Sequence, residues 1–172
     1  MVELNTEIPK VTMLCGMACS GKTTYANQQL AITNAARLSI DESMYLKHGR
    51  YNIDYNHLDY LDLEKIVYDE LDVALNSLLE QRRSVILDFG FWTKQSRDKY
   101  KSIIEAGKAE WELLYFSVEL PVLRNRIAFR NTLSGPNSLP VDEELFNNML
   151  RRFEPPKNEG EILVGSVERL KI

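Results

Sequence analysis

Gly16-Met-Ala-Cys-Ser-Gly21-Lys22-Thr23 matches G-x-x-x-x-G-K-[ST] at every fixed position. Each fixed residue answers a demand of phosphate chemistry. Glycines let main-chain N–H groups turn inward around phosphate oxygens at the start of a helix. The lysine reaches the β- and γ-phosphates, and the hydroxyl that follows it binds Mg²⁺. Gly16, Ala18, Cys19, Ser20, Gly21, Lys22, Thr23 and Thr24 are therefore expected to hold ATP, with Thr23 on the metal. The setting agrees. Val11-Thr-Met-Leu-Cys15 is a short apolar run that reads as a buried strand, and residues from Lys22 to about Ile32 read as a helix.

Two carboxylates stand at the ends of further strand candidates. Asp41 follows Arg37-Leu-Ser-Ile40, beside the phosphate loop if the sheet is doubly wound, since ligands gather at the carboxyl ends of its strands. It suits a general base that takes the proton of an acceptor hydroxyl. An N-cap or turn aspartate is the other reading; Glu42 is the weaker candidate. Asp88, after Ser84-Val-Ile-Leu87, suits a carboxylate holding the metal's water shell, or a plain cap. Arg124, Arg126 and Arg130 fall on one short helix, and Arg126 and Arg130, four apart, share a face. Those two can stabilise charge developing on a transferred phosphoryl group; a solvated face is the alternative. Arg97 stays open between structure and site.

These residues need a frame. Apolar residues at a helical period run from Leu58 to Leu79. Thr93 to Glu105 reads as a helix ending at Gly107, and Glu112 to Ser117 as a fourth strand. Pro121 opens a helix with Val122, Leu123 and Ile127 on its apolar side. Residues 131–140 read as a mobile loop, Asp142 as the cap of a helix to about Phe153, and Ile162-Leu-Val164 as a fifth strand. Residues 43–60 are rich in tyrosine, and Phe89 and Phe91 read as packing residues. Strand and helix alternate, which implies a parallel sheet with helices on both faces. With 172 residues the chain fits one domain, 1–172.

The bulk numbers exclude several classes. A net charge of -4 leaves no basic footprint for broad nucleic-acid binding. No apolar run approaches the roughly 20 residues that span a bilayer, and the N-terminus lacks a signal-peptide pattern. Cys15 and Cys19 suggest neither a disulfide framework nor a zinc site with His48 and His57. The cytoplasm is the expected compartment.

The chain resembles a family of small P-loop kinases. Its relatives include polynucleotide 5′-hydroxyl kinase domains, chloramphenicol phosphotransferase and the zeta-toxin sugar-nucleotide kinases. The resemblance rests on Gly16 to Thr24, Leu38-Ser-Ile-Asp41, Val85-Ile-Leu-Asp88 with Arg97 beyond it, and Leu123 to Asn131. It continues through Leu139-Pro-Val141 to Phe153-Glu-Pro-Pro156. It implies a three-layer α/β P-loop kinase fold, with a mostly parallel five-stranded sheet and a short lid at about 126–140. Asp41 would be the base, Arg126 and Arg130 the lid arginines, and Lys22 the phosphate lysine. ATP and Mg²⁺ would be the cofactors, and a small molecule or nucleotide the acceptor. A polynucleotide 5′-hydroxyl acceptor is less favoured, as is a nucleotide-dependent switch. A nucleoside-monophosphate kinase is disfavoured because Asp41-Glu42 would repel a phosphate acceptor, and a GTPase because no N-K-x-D segment occurs.

Overall fold

The computed structural model describes residues 8–51, 53–56, 58–133 and 140–165. Along the chain run β1 (Lys10–Cys15), α1 (Lys22–Ile32), β2 (Ala36–Ser39), α2 (Ile40–His48) and α3 (Tyr60–Glu80). They are followed by β3 (Val85–Gly90), α4 (Lys94–Ala106), β4 (Glu110–Phe116), α5 (Leu120–Arg130), α6 (Glu143–Arg152) and β5 (Glu161–Val164). The strands lie in the order β2-β3-β1-β4-β5, and every described pairing is parallel. The chain thus leaves β1 in both directions across the sheet, and a ligand site is expected at the carboxyl end of β1.

The period of two along each strand divides the core. Val11, Met13 and Cys15 of β1, with Val85, Leu87 and Phe89 of β3, meet Val67, Leu71, Leu75 and Leu79 of α3 and Tyr100 and Ile104 of α4. Leu14, Ile86 and Leu114 take the other face with Ala26 of α1. A third cluster joins α5 and α6 to the turn after β1: Met17 is buried among Leu123, Ile127, Val141 and Phe146. Val122 does not belong to that packed face; it is exposed.

Several boundaries differ from the sequence reading. β2 stops at Ser39, and Ile40 begins α2, a helix the tyrosine-rich composition did not suggest. The Ser39 side chain is its cap, accepting from the Glu42 N–H at 3.4 Å, so Asp41 neither ends a strand nor caps a helix. Nor does β2 adjoin β1, because β3 lies between them. Asp88 is internal to β3, which continues through Phe89 to Gly90. The Asp142 side chain caps α6, as expected, accepting from Leu145 N–H. Of the expected lid, 134–139 lie outside the described residues. The chain on either side is pinned: Asn131 Nδ2 donates to Val141 O at 2.8 Å, and Asn131 Oδ1 accepts from Val141 N–H at 3.0 Å. His57 also lies outside the described residues.

Arg97 is a structural latch. It is 1% exposed, and it donates to both Glu159 oxygens at 2.7 Å. It also donates to Phe91 O at 3.0 Å and Glu154 O at 2.8 Å, tying α4 to the exit of β3 and to the chain after α6. Arg97→Leu leaves that carboxylate and both carbonyls unmatched, and should cost about 3–5 kcal/mol in urea unfolding. Hydrogen bonding from Arg97 holds the Glu159 carboxyl below its ordinary 4.5. The pair's stability is therefore full above that value and is lost as pH falls through the lower folded value. Glu159→Gln should flatten this acid limb of the stability profile, measured by unfolding at a series of pH values; an unchanged limb contradicts it.

Candidate functional site

The turn after β1 is built for close approach of main chain. Gly16 has φ 152°, and a Cβ there would stand 2.8 Å from Ser20 Oγ and 2.9 Å from Phe116 O. Its N–H donates to Gly90 O at 3.0 Å, anchoring the loop to the end of β3. Cys19 (φ 60°) and Gly21 (φ 107°) adopt left-handed conformations before α1 begins at Lys22. Ser20 is buried, and its N–H donates to Met17 O at 3.2 Å. The loop thus curls into a cup whose amides sit at the start of a helix, the arrangement that receives anions.

Lys22 folds over this cup. Its Nζ donates to Gly16 O and Met17 O, both at 2.8 Å. Burial pushes its pKa down, while Asp88 and then Asp41 pull it up. Both carboxylates singled out from the sequence therefore act on one ammonium. Thr23 Oγ1 donates to Asp88 Oδ2 at 2.9 Å. This follows from the strand period: Asp88 lies two residues past Ile86, on the face turned to α1. Among the described residues no three His, Cys, Asp or Glu side chains cluster as a metal cage. A hydroxyl and a carboxylate as hard oxygen donors fit Mg²⁺, which takes one or two protein ligands and completes its shell with water and phosphate.

Asp41 occupies the first turn of α2 and is exposed. Desolvation by the neighbouring protein raises its pKa; Lys22 opposes this, Asp88 adds to it, and Arg130 and Arg37 oppose it. Its charge reaches the aromatic side as well, raising Tyr60, Tyr68, Tyr55 and Glu64 after their own burial does. Tyr60 donates to Glu64 Oε1 at 3.1 Å and stacks edge-on against Tyr51 at 5.6 Å. Tyr55, Tyr60 and Tyr68 are partly buried and pack on the core.

Of the three arginines, two belong here. Arg126 Nη1 donates to Cys19 O at 3.4 Å. Burial raises the Cys19 thiol, and Arg130, Lys22 and Arg126 pull it down, so three cations converge on the loop. Arg124 points elsewhere: it pairs with Glu143 and lies over the Phe146 ring at 4.8 Å, bracing α5 against α6. Both cysteines are free, and burial pushes the Cys15 thiol up to about 11. Sequence reasoning passed over Arg37 and Glu64. Arg37 donates to Asp88 Oδ2 at 3.0 Å; the one available signal was a charged residue inside a short strand, which says nothing of its partner.

Gly16→Ala places a methyl group against the rigid Phe116 carbonyl and should cost about 1–3 kcal/mol of stability through overpacking. Denaturant unfolding measures it, and an unchanged midpoint means the loop has room that this geometry denies.

Comparison with known proteins agrees with the geometry. A protein family described as an AAA domain matches residues 11–156. A candidate kinase from Chloroflexus aurantiacus has the same fold at 15% identity and TM-score 0.75, over 98% of this chain and 91% of its own. A gluconokinase from Sinorhizobium meliloti gives 16% identity and TM-score 0.60, over 93% and 84%. Chaetomium thermophilum Kti12, solved with ADP-AlF3, gives 17% and 0.61, over 90% and 88%. No curated protein matches. At such identities the solved structures speak for the fold alone. The family's match runs from β1 past α6 and takes in the whole phosphate-binding cup, so the chain belongs to this AAA-domain family of P-loop proteins and carries its kinase-like fold.

Proposed function

We propose that the protein is an ATP-dependent phosphotransferase that moves the γ-phosphoryl group onto the hydroxyl of a small molecule or nucleotide in the cytoplasm. The observation that carries this reading is the loop geometry: Lys22 Nζ donates to Gly16 O and Met17 O at 2.8 Å, and Thr23 Oγ1 donates to Asp88 Oδ2 at 2.9 Å. Asp88 meets Thr23 at a metal-type corner, whereas Asp41 is exposed in the first turn of α2. A nucleotide switch needs the first carboxylate only. The second gives an acceptor hydroxyl a base. The gluconokinase with this architecture and the Kti12 complex with ADP-AlF3 support a nucleotide and a hydroxyl acceptor by analogy of fold.

In this mechanism the amides of Gly16 to Thr24, including those of Ala18, Cys19, Ser20 and Gly21, cradle the phosphates. Lys22 exchanges its bonds to Gly16 O and Met17 O for the β- and γ-phosphate oxygens. Thr23 and Asp88 would hold Mg²⁺, which would supply positive charge against the phosphates. Asp41 orients the acceptor hydroxyl and takes its proton. Arg126 and Arg130, on the lid helix packed over Met17, meet the charge that develops on the transferred group.

Lys22→Ala removes the cation shared by phosphates and carboxylates and should weaken Mg-ATP binding markedly, as read by titration calorimetry; equal affinity in the two proteins rejects the phosphate role. Asp41→Asn should leave ATP affinity and melting temperature nearly unchanged, because Ser39 supplies the α2 cap. Transfer to an acceptor found by mass-shift screening of hydroxyl compounds should fall roughly 10²–10⁴-fold, nearer the low end because the loose transition state needs little proton transfer. Near-wild-type turnover in a folded Asp41→Asn protein removes the base and the main argument for a hydroxyl acceptor.

A further inference from the structure

Arg37 stands outside the phosphate-binding motif and outside the aromatic side of the cleft, yet it touches the frame of both. Its side chain rises from β2 on the face that carries Asp88 and is only 10% exposed. Nη2 donates to Asp88 Oδ2 at 3.0 Å. Nη1 donates to Glu42 Oε2 at 3.0 Å and to Asn27 Oδ1 at 3.2 Å. Its Nε is buried with no hydrogen-bond partner among the described residues. One guanidinium therefore links α1, through Asn27, to the Thr23–Asp88 corner and to the first turn of α2, where Glu42 follows Asp41.

The two ends of this bridge have different chemistry. Asp88 Oδ2 accepts twice, from Arg37 and from Thr23 at 2.9 Å. A fixed cation one hydrogen bond away neutralises that carboxylate, and it also repels any second cation that the carboxylate would attract. At the other end, Glu42 is half-exposed and carries no catalytic assignment, so its bond to Arg37 acts on the placement of α2. Only a planar, forked cation reaches both carboxylates at once; an ammonium is a point charge with a shorter span.

We propose that Arg37 is a positioning residue with two effects: it locks the helix carrying Asp41 to the metal corner, and it keeps Mg²⁺ binding at that corner weak. The cation then binds together with the nucleotide phosphates instead of residing on Asp88 alone. This inference rests on the reading of Thr23 and Asp88 as the Mg²⁺ side of a nucleotide site.

The test is a Mg²⁺ titration of ATP binding, followed by calorimetry, on the wild type, Arg37→Met, Arg37→Lys and Glu42→Gln. Hydrogen exchange of the first turn of α2 is followed in each. Arg37→Met should lower the Mg²⁺ concentration for half-saturation on the order of tenfold, while Arg37→Lys, which keeps the charge, stays within about twofold of wild type. All three variants should speed exchange in the first turn of α2, and Glu42→Gln should do so without moving the Mg²⁺ midpoint. A residue of purely structural use would weaken Mg²⁺ and ATP binding in step with lost stability. An unmoved or raised midpoint in Arg37→Met, or equal midpoints in the Met and Lys variants, overturns the electrostatic half. Unchanged exchange in Glu42→Gln overturns the bridge. Should Arg37→Met not fold, the Lys and Glu42→Gln variants still decide the matter, since a raised midpoint in Arg37→Lys or slow exchange in Glu42→Gln contradicts it. Wild-type ATP binding with no Mg²⁺ dependence rejects the reading of the corner itself, and this proposal with it.

Discussion

Burying the Asp88 carboxylate in the middle strand region of a parallel sheet costs several kcal/mol unless donors and opposite charge surround it. The side chain is 4% exposed, and Thr23 and Arg37 meet its Oδ2 together. Thr23 belongs to the first turn of α1 and Arg37 to β2, so satisfying one oxygen fixes the start of a helix and the edge of the sheet. The same strand secures the other end of the phosphate-binding loop, because Gly90 O accepts from Gly16 N–H. β3 is buried along its whole length and flanked by strands on both sides. A fully buried strand therefore holds both ends of a loop that contains left-handed residues.

Much of this was readable from residues alone. α1 spans Lys22–Ile32, as the motif and its preceding apolar run implied, because a short buried strand followed by glycine leaves few alternatives. α2 was not readable, since only Ile40 and Met44 of its nine residues are buried and no apolar stripe marks it. Its presence depends on the Ser39 cap and on packing against α3. Asp88 looked like a strand end because a charge after three apolar residues ordinarily is one. Here the charge is tolerated inside because two partners come from distant segments. Sheet order was equally hidden: the apolar run of β1 is the same whichever strands flank it, and the insertion of β3 beside β1 is decided by crossover geometry.

The charge distribution separates site from scaffold. Arg124, Arg126 and Arg130 share one helix, yet residues two apart point to well-separated sides at 3.6 residues per turn. Arg126 and Arg130 consequently turn to the loop, and Arg124 turns to Glu143 and Phe146. Arg97 has the same chemistry as these and a quite different use, because Glu159 and two carbonyls enclose it completely. A chain with net charge -4 thereby gathers Lys22, Arg37, Arg126 and Arg130 around one loop and its Asp88 corner.

The two halves of the cleft differ in how much of the chain determines them. The phosphate half is encoded in eight consecutive residues and tied down by β3. The half proposed for an acceptor draws on the first turn of α2, the tyrosine-rich segment and the start of α3, which share no motif. This explains why one fold accommodates many acceptors, and why fold similarity leaves the acceptor open. Burial raises Glu64, and Asp41 raises it further; crowding raises Asp41 with Asp88 adding to it. On the proposed reading Asp41 would offer an acceptor hydroxyl a hydrogen-bond acceptor, while Lys22, Arg130 and Arg37, which act on the same carboxylate, would supply the positive charge that a transferred phosphoryl group needs.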